Sequence, residues 1–263
     1  DVEQMKCFEP ESLQDGGSYD EVAELYDGVF DDIRVRADEW RWLSEHMPER
    51  GVDGPEEPAV LDIGCGNGAL LAQLADRISI GRGVDVSSKM IALARDRARD
   101  APEASRLAFR EIDGPDLPYE DDSFDVVTSF LSFRYLDWDP ILMEIARVLR
   151  PGGRLLIVDM VTKGLQLDEI PEFLASKWRV WQTRRANPEF ERALGRLVEH
   201  PGWQEMLRHN PIRSEHEFKW YVESRFPGQS IEKLNVGLKN RVLAFDSGPV
   251  RQPGEGFAPQ SYP

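Results

Sequence analysis

At 263 residues, with 41% hydrophobic and 30% charged side chains, the chain has the apolar mass for one large α/β domain with an appendage, or for two small domains. A formal net charge of -16 disfavours the neutralising of a phosphate backbone, so nucleic acid is not an expected partner. No run of eighteen apolar residues occurs, which excludes a membrane-spanning helix, and two cysteines (Cys7 and Cys65) exclude a disulfide scaffold or a cysteine-built zinc site and suit a reducing, cytoplasmic setting.

The first residue is Asp1, so the numbering is expected to begin inside a longer chain, and the opening residues lack the layout of a signal peptide. Residues 1–18 are polar and aperiodic and read as a loose arm. The spacing of Val22, Ala23, Leu25, Tyr26 and Phe30 predicts a short helix, and a second is expected over Ile33 to Met47. A Gly/Pro/acid linker follows at residues 51–58.

Strand and helix patterns then alternate. Ala59–Ile63, Ile80–Val86, Leu107–Ile112, Phe124–Phe130 and Arg154–Val161 read as strands. Helices are expected at Ala69–Arg77, at Ser88–Arg99 with Ser87 or Ser88 as its cap, and at Ile141–Leu149, stopped by Pro151-Gly152-Gly153. Such alternation implies βαβ units, hence an α/β, Rossmann-like doubly wound sheet that is mainly parallel. Residues 168–226 break the pattern with a helical stretch rich in Trp178, Trp181, Trp203, Trp220 and Tyr221, expected to act as a lid over a substrate. This stretch is basic where residues 1–50 are acidic: 171–220 hold nine Lys and Arg against seven Glu. Ile231–Val236 and Arg241–Phe245 flank a four-residue turn and can pair only as an antiparallel hairpin. A compact domain is thus expected over 19–247, with a loose tail at 248–263.

The sharpest local signal is Asp62-Ile63-Gly64-Cys65-Gly66-Asn67-Gly68, between the first strand and the first helix of the sheet. Ligands of open α/β folds bind at that edge, where glycines admit close backbone approach and helix N–H groups are free to donate. The loop also satisfies a dinucleotide fingerprint, Gly64-x-Gly66-x-x-Ala69, with Asp85 about twenty residues on. Against that stands Asp62, whose carboxylate would repel a pyrophosphate but attract a cationic amino-acid group. Asp85 also suits a helix cap, and Asp113 a turn.

Together with Gly83-Val84-Asp85-Val86-Ser87, Ile112-Asp113-Gly114, Leu117-Pro118-Tyr119, Phe124-Asp125-Val126-Val127 and Arg147-Val148-Leu149-Arg150-Pro151-Gly152-Gly153, the loop resembles the class I S-adenosylmethionine (SAM)-dependent methyltransferases, in the small-molecule branch. The resemblance covers roughly residues 19–161 and implies a reversed last strand, SAM as cofactor with S-adenosylhomocysteine as product, and no metal. It implies that Asp62 and Gly64 hold the methionine amino end, and that Gly66 and Gly68, beside Cys65, leave room for sulfonium and ribose. It further implies that Asp85 takes the ribose hydroxyls, Val86 and Met90 pack on the adenine, and Asp113 and Gly114 hydrogen-bond it. Ser129 and Phe130 would lie beside the transferred methyl, with Tyr19 or Tyr26 closing over the cofactor.

A nucleophile that must lose a proton can use a base, for which His200, His209 and His216 in the lid are the candidates. The insertion's aromatics and arginines suit an aromatic or acidic small molecule, methylated at oxygen, nitrogen or carbon. A homodimer is one expected assembly. An NAD(P)-dependent oxidoreductase and a non-catalytic protein of the same fold stay open as alternatives.

Overall fold

The computed structural model describes residues 20–48 and 57–250; the expected arm, Tyr19, most of the Gly/Pro/acid linker and the tail beyond 250 lie outside the described residues. Seven strands make one sheet: β1 (Ala59–Ile63), β2 (Ile80–Asp85), β3 (Leu107–Glu111), β4 (Phe124–Phe130), β5 (Leu149–Thr162), β6 (Ile231–Val236) and β7 (Asn240–Asp246), in the spatial order β3-β2-β1-β4-β5-β7-β6. The first five run parallel, and β7 enters antiparallel to both β5 and β6. The order reverses between β1 and β4, so loops on either side of that point diverge and leave a crevice at the carboxyl edge.

All five residues of β1 are buried because helices cover both faces of the sheet. The two-residue period sorts the strands cleanly: Leu61, Ile63, Val127, Leu155 and Ile157 enter one apolar cluster, while Val60, Val126, Leu156 and Val158 enter the other. The first cluster is covered by α5 (Trp138–Val148) and, through Phe218, Tyr221 and Val222, by the later helix Glu215–Arg225. The second is covered by α2 (Ala37–His46), α3 (Ala69–Leu74) and α4 (Ser88–Arg99), the last capped by Ser87, whose Oγ accepts from Met90 N at 3.2 Å.

Two expected boundaries shift. The helix expected over Ile33 to Met47 is a 3-10 turn (Ile33–Val35) followed by α2, because the Asp32 carboxylate accepts Arg34 N and Arg36 leaves helical geometry at φ -92, ψ 68. The Pro151-Gly152-Gly153 stop lies inside β5 rather than before it: Gly152 adopts φ +86, and the β4–β5 register shifts between Phe124 and Val126. That irregularity lets the strand begin directly after α5.

The insertion after β5 holds α6 (Ile170–Ala186), α7 (Pro188–Glu199), α8 (Pro201–His209) and α9 (Glu215–Arg225). It does not act as one piece. The last helix belongs to the main core, whereas Leu197 of α7 and Trp203 of α8 join Val22, Val29 and Phe30 around α1 (Ala23–Val29) in a small separate core. Tyr26 and Phe30 of this core, and Asn210 just after α8, reach the carboxyl edge of the sheet. Of the insertion's aromatics, Trp178, Trp181 and Trp220 are exposed on the outer surface and Tyr221 packs on Trp138.

One buried ion pair fixes the loop that follows β4. Asp159 on β5 has no exposed surface and accepts from both the backbone N–H and the guanidinium of Arg134. Burial pushes its carboxyl up while Arg134 pulls it down. Removing the cation strands a buried carboxylate, so Arg134→Met is expected to destabilise the protein by about 3–5 kcal/mol in urea unfolding. Adding Asp159→Leu to that variant should recover most of the loss, since an apolar pair of similar volume replaces the ions. A loss below about 1 kcal/mol in the single variant would show that the pair does not hold the loop.

Candidate functional site at the carboxyl edge of the sheet

A cavity of about 510 Å³ opens where β1, β2, β3 and β4 end. Four carboxylates line it: Asp62, Asp85 and Asp113, each placed by a different strand end, and Asp137, just before α5. Asp62 is 2% exposed and accepts from the Thr128 hydroxyl at 2.7 Å, its register partner on β4. Burial pushes its carboxyl up to about 7; the Thr128 hydrogen bond opposes this and Asp85 adds to it. Asp85 closes β2, and its two oxygens accept Gly66 N at 2.8 Å and Ser87 N at 2.9 Å. Burial raises it as well, with the N–H groups of Ser87, Gly66 and Val86 pulling the other way.

The glycine loop is built for close approach. Gly64 N and Cys65 N both donate to Val84 O, at 2.8 and 3.0 Å, which bends the chain back over β2. Gly64 has φ +72, and a Cβ there would lie 2.3 Å from Ser132 Cβ, so the glycine loop and the loop after β4 touch. At Gly66 (φ +51) a Cβ would meet nothing within 4 Å, because that backbone faces the cavity. Gly68 does not line the cavity; its missing Cβ makes room for Ala94 and Phe109, each 2.9 Å away.

Of the other residues singled out in the sequence, Tyr26, Gly64, Cys65, Val86, Met90, Gly114 and Phe130 line the cavity. Cys65 is buried and its thiol is pushed up by that burial, away from nucleophilic use. Ser129 is turned the other way: its hydroxyl donates to Ile63 O at 3.2 Å, so the pleat aims it between strands. His200 and His216 are not brought in either. His200 Nδ1 accepts Gly202 N at 3.1 Å and caps α8, and His216 is exposed on α9. His209 ends α8 directly before Asn210, which lines the cavity. No group of three or more His, Cys, Asp or Glu with metal-site geometry occurs among the described residues.

Several cavity residues escape the sequence reading, and three of them shape the site most visibly. Asn67 is 3% exposed and donates to Asp27 Oδ1 at 2.8 Å and Phe30 O at 3.0 Å, latching α1 and its following residue to the glycine loop. An amide side chain beside a helix start was the available signal. Leu131 sits at φ 60, a left-handed conformation uncommon for a branched side chain, where its N–H donates to Val158 O at 2.6 Å. Tyr135, beside Arg134, completes the wall.

Comparisons with known proteins point to one family. A profile described as "Methyltransferase domain" matches residues 61–157. Methyltransferase GfsG of Streptomyces halstedii is 34% identical over 193 residues, which cover 68% of this chain and 69% of that protein. The chain belongs to the class I SAM-dependent methyltransferases. The 27-O-demethylrifamycin SV methyltransferase of Amycolatopsis mediterranei is 35% identical over 163 residues, 56% of this chain and 58% of that protein. A solved [4+2]-cyclase, SpnF, superposes with a TM-score of 0.57 at 21% identity over 92% of this chain and 98% of its own, and shares the fold. The dinucleotide alternative required Asp62 to point away from the loop; it lines the cavity instead.

The two glycines separate packing from approach. Gly64→Ala places a methyl group against Ser132 Cβ and is expected to cost more than about 3 kcal/mol of stability. Gly66→Ala meets open space and should cost only the left-handed strain, about 1–2 kcal/mol. Thermal unfolding of the two variants checks this, and equal losses would refute the contact between the loops.

Proposed function

We propose that the protein transfers the methyl group of SAM to an oxygen, nitrogen or carbon atom of a small molecule bearing an aromatic ring or an acidic group. The observation that carries the reading is the convergence of Asp62, Asp85 and Asp113, from three successive strand ends, on one cavity beside an open glycine backbone. The residues suit the cofactor chemically. Asp62 is a buried carboxyl that accepts the Thr128 hydroxyl, and a cationic amino group beside it would restore its charge. The free approach to Gly66 leaves space for sulfonium and ribose, with the Gly64 backbone beside Asp62. Asp85 keeps lone pairs for the ribose hydroxyls while its backbone bonds hold it rigid. Val86 and Met90 offer an apolar wall to the adenine, and Asp113 and Gly114 offer it an acceptor and a donor. Phe130 and Tyr26 enclose the methyl end.

When bound, SAM supplies an electrophilic methyl: the acceptor's lone pair bonds to the methyl carbon as the C–S bond breaks, and that bond's electrons stay on sulfur. The protein's task is therefore alignment and exclusion of water, which the small core of α1, α7 and α8 supports. The relative named for 27-O-demethylrifamycin SV supports a small-molecule acceptor. No described helix is long and apolar enough to cross a membrane. A cytoplasmic protein fits the cysteine usage. The exposed stripe of Leu167, Ile170, Leu174, Trp178 and Trp181 supports pairing of two copies, which light scattering would read as twice the chain mass.

SAM or S-adenosylhomocysteine at about a hundred times its dissociation constant should raise the melting temperature by about 5–10 °C, and NAD should not. A shift with NAD alone would overturn the reading. Because the amino end is held best by ionised Asp62, affinity should weaken as pH falls below about 7, by up to about tenfold per pH unit. Asp62→Asn should bind at least about tenfold more weakly and lose that pH dependence, measured by calorimetry between pH 6 and 8.

A further inference from the structure

A second cavity, of about 520 Å³, lies beside the first. Met160 of β5 and Val242 of β7 contribute its floor, and Val180 of α6 with Phe190 and Leu194 of α7 contribute its walls. Phe30 lines both cavities, so the two spaces adjoin at that residue. The 3-10 turn continues that boundary, with Ile33 lining the first cavity and Val35 the second.

The charges of the second cavity single out one residue. Four arginines line it, against Asp38 and Glu39. Arg241 is held by Glu169 and by the carbonyl oxygens of Lys163 and Gly164. Arg179 donates to Asp38 at 2.8 Å and to Ser176 and Leu234 O at 3.2 Å, and Arg41 donates to Asp38 at 2.8 Å. Arg36 is bound loosely. Its guanidinium lies 4.5 Å from the centre of the Phe30 ring, its ion pair with Glu39 spans 3.8 Å, and its Nε is buried with no hydrogen-bond partner. A buried donor without an acceptor calls for one, and a guanidinium accepts an oxygen anion or a carbonyl in a defined plane. The surrounding walls are apolar, the usual make-up of a small-molecule site with one orienting polar group.

We infer that the second cavity holds the methyl acceptor, an aromatic or otherwise largely apolar molecule whose acidic oxygen is bound by Arg36, and that Phe30 sets how far the acceptor reaches toward the first cavity. This rests on the methyltransferase reading of the first cavity. It makes Arg36 and Phe30 determinants of acceptor choice rather than of cofactor binding. A cationic acceptor is disfavoured because four guanidinium groups line the space.

The test uses 2-naphthoate and its uncharged counterpart 2-naphthalenemethanol, titrated into the full chain saturated with S-adenosylhomocysteine. Naphthoate is expected to bind without displacing S-adenosylhomocysteine. Arg36→Gln should weaken naphthoate at least tenfold and the alcohol less than threefold, and Arg36→Lys should recover part of the loss. Leu194→Trp, which fills the cavity, should weaken both probes at least tenfold. All three variants should bind S-adenosylhomocysteine within twofold of the wild type. The inference is overturned if naphthoate fails to bind, competes with S-adenosylhomocysteine, or binds Arg36→Gln as well as the wild type. It is equally overturned if Trp178→Ala with Trp181→Ala, on the outer surface, abolishes the probe signal. Failure of the wild type to bind S-adenosylhomocysteine would overturn the methyltransferase reading instead.

Discussion

At Gly64 two loops of the sheet's carboxyl edge come so close that only a hydrogen fits between them, and much of the site depends on that contact. Ser132, on the other side, donates its hydroxyl to Gly64 O at 2.8 Å, so the approach is bonded as well as tight. The contact welds the loop after β1 to the loop after β4 across the point where the strand order reverses. Asp62 and Thr128 repeat the connection one step deeper, within the sheet. The cavity floor is therefore a rigid unit, and the acids that line it need no rearrangement to face a ligand.

Charge at this site follows from burial. Asp62 and Asp85 line one cavity, both raised by desolvation, and Asp85 adds to the rise at Asp62. Among the described residues no arginine or lysine lines that cavity, whereas the second cavity has four arginines. The two compartments differ in sign although they meet at Phe30. A cationic group suits the first and an anionic group the second, which is the polarity needed to bring an electrophile and an oxygen-bearing acceptor into adjoining spaces.

Much of the sheet could be read from the chain because its signals are local. A buried parallel strand shows as an unbroken apolar run, and the loop after β1 shows as glycines at alternate positions ending in a helix. Asp62 and Asp85 were legible near the ends of such runs, and Asp113 just after one. The packing of the insertion was not legible, for a physical reason. Leu167, Ile170, Leu174, Trp178 and Trp181 repeat at helical spacing as a core stripe does, yet they are 40–87% exposed, since periodicity tells which face is apolar and not what covers it. The same limit hid α9, whose Phe218 and Tyr221 enter the main core. It also hid Asn67, whose partners Asp27 and Phe30 stand about forty residues away in sequence. Leu131 lies beyond any pattern, because its left-handed backbone is imposed by the hydrogen bond to Val158.

The separate small core around α1, α7 and α8 has an evolutionary consequence. Its residues make few contacts with the clusters that stabilise the sheet, so changes at Phe190, Leu194 or Trp203 are nearly additive with changes beneath the sheet. A lineage can therefore remodel this core through many substitutions without approaching the threshold at which the fold fails. Duplicated copies of such a gene would diverge fastest in residues 188–209 and slowest along β1 and β4, so new acceptors could be explored on an unchanged cofactor platform.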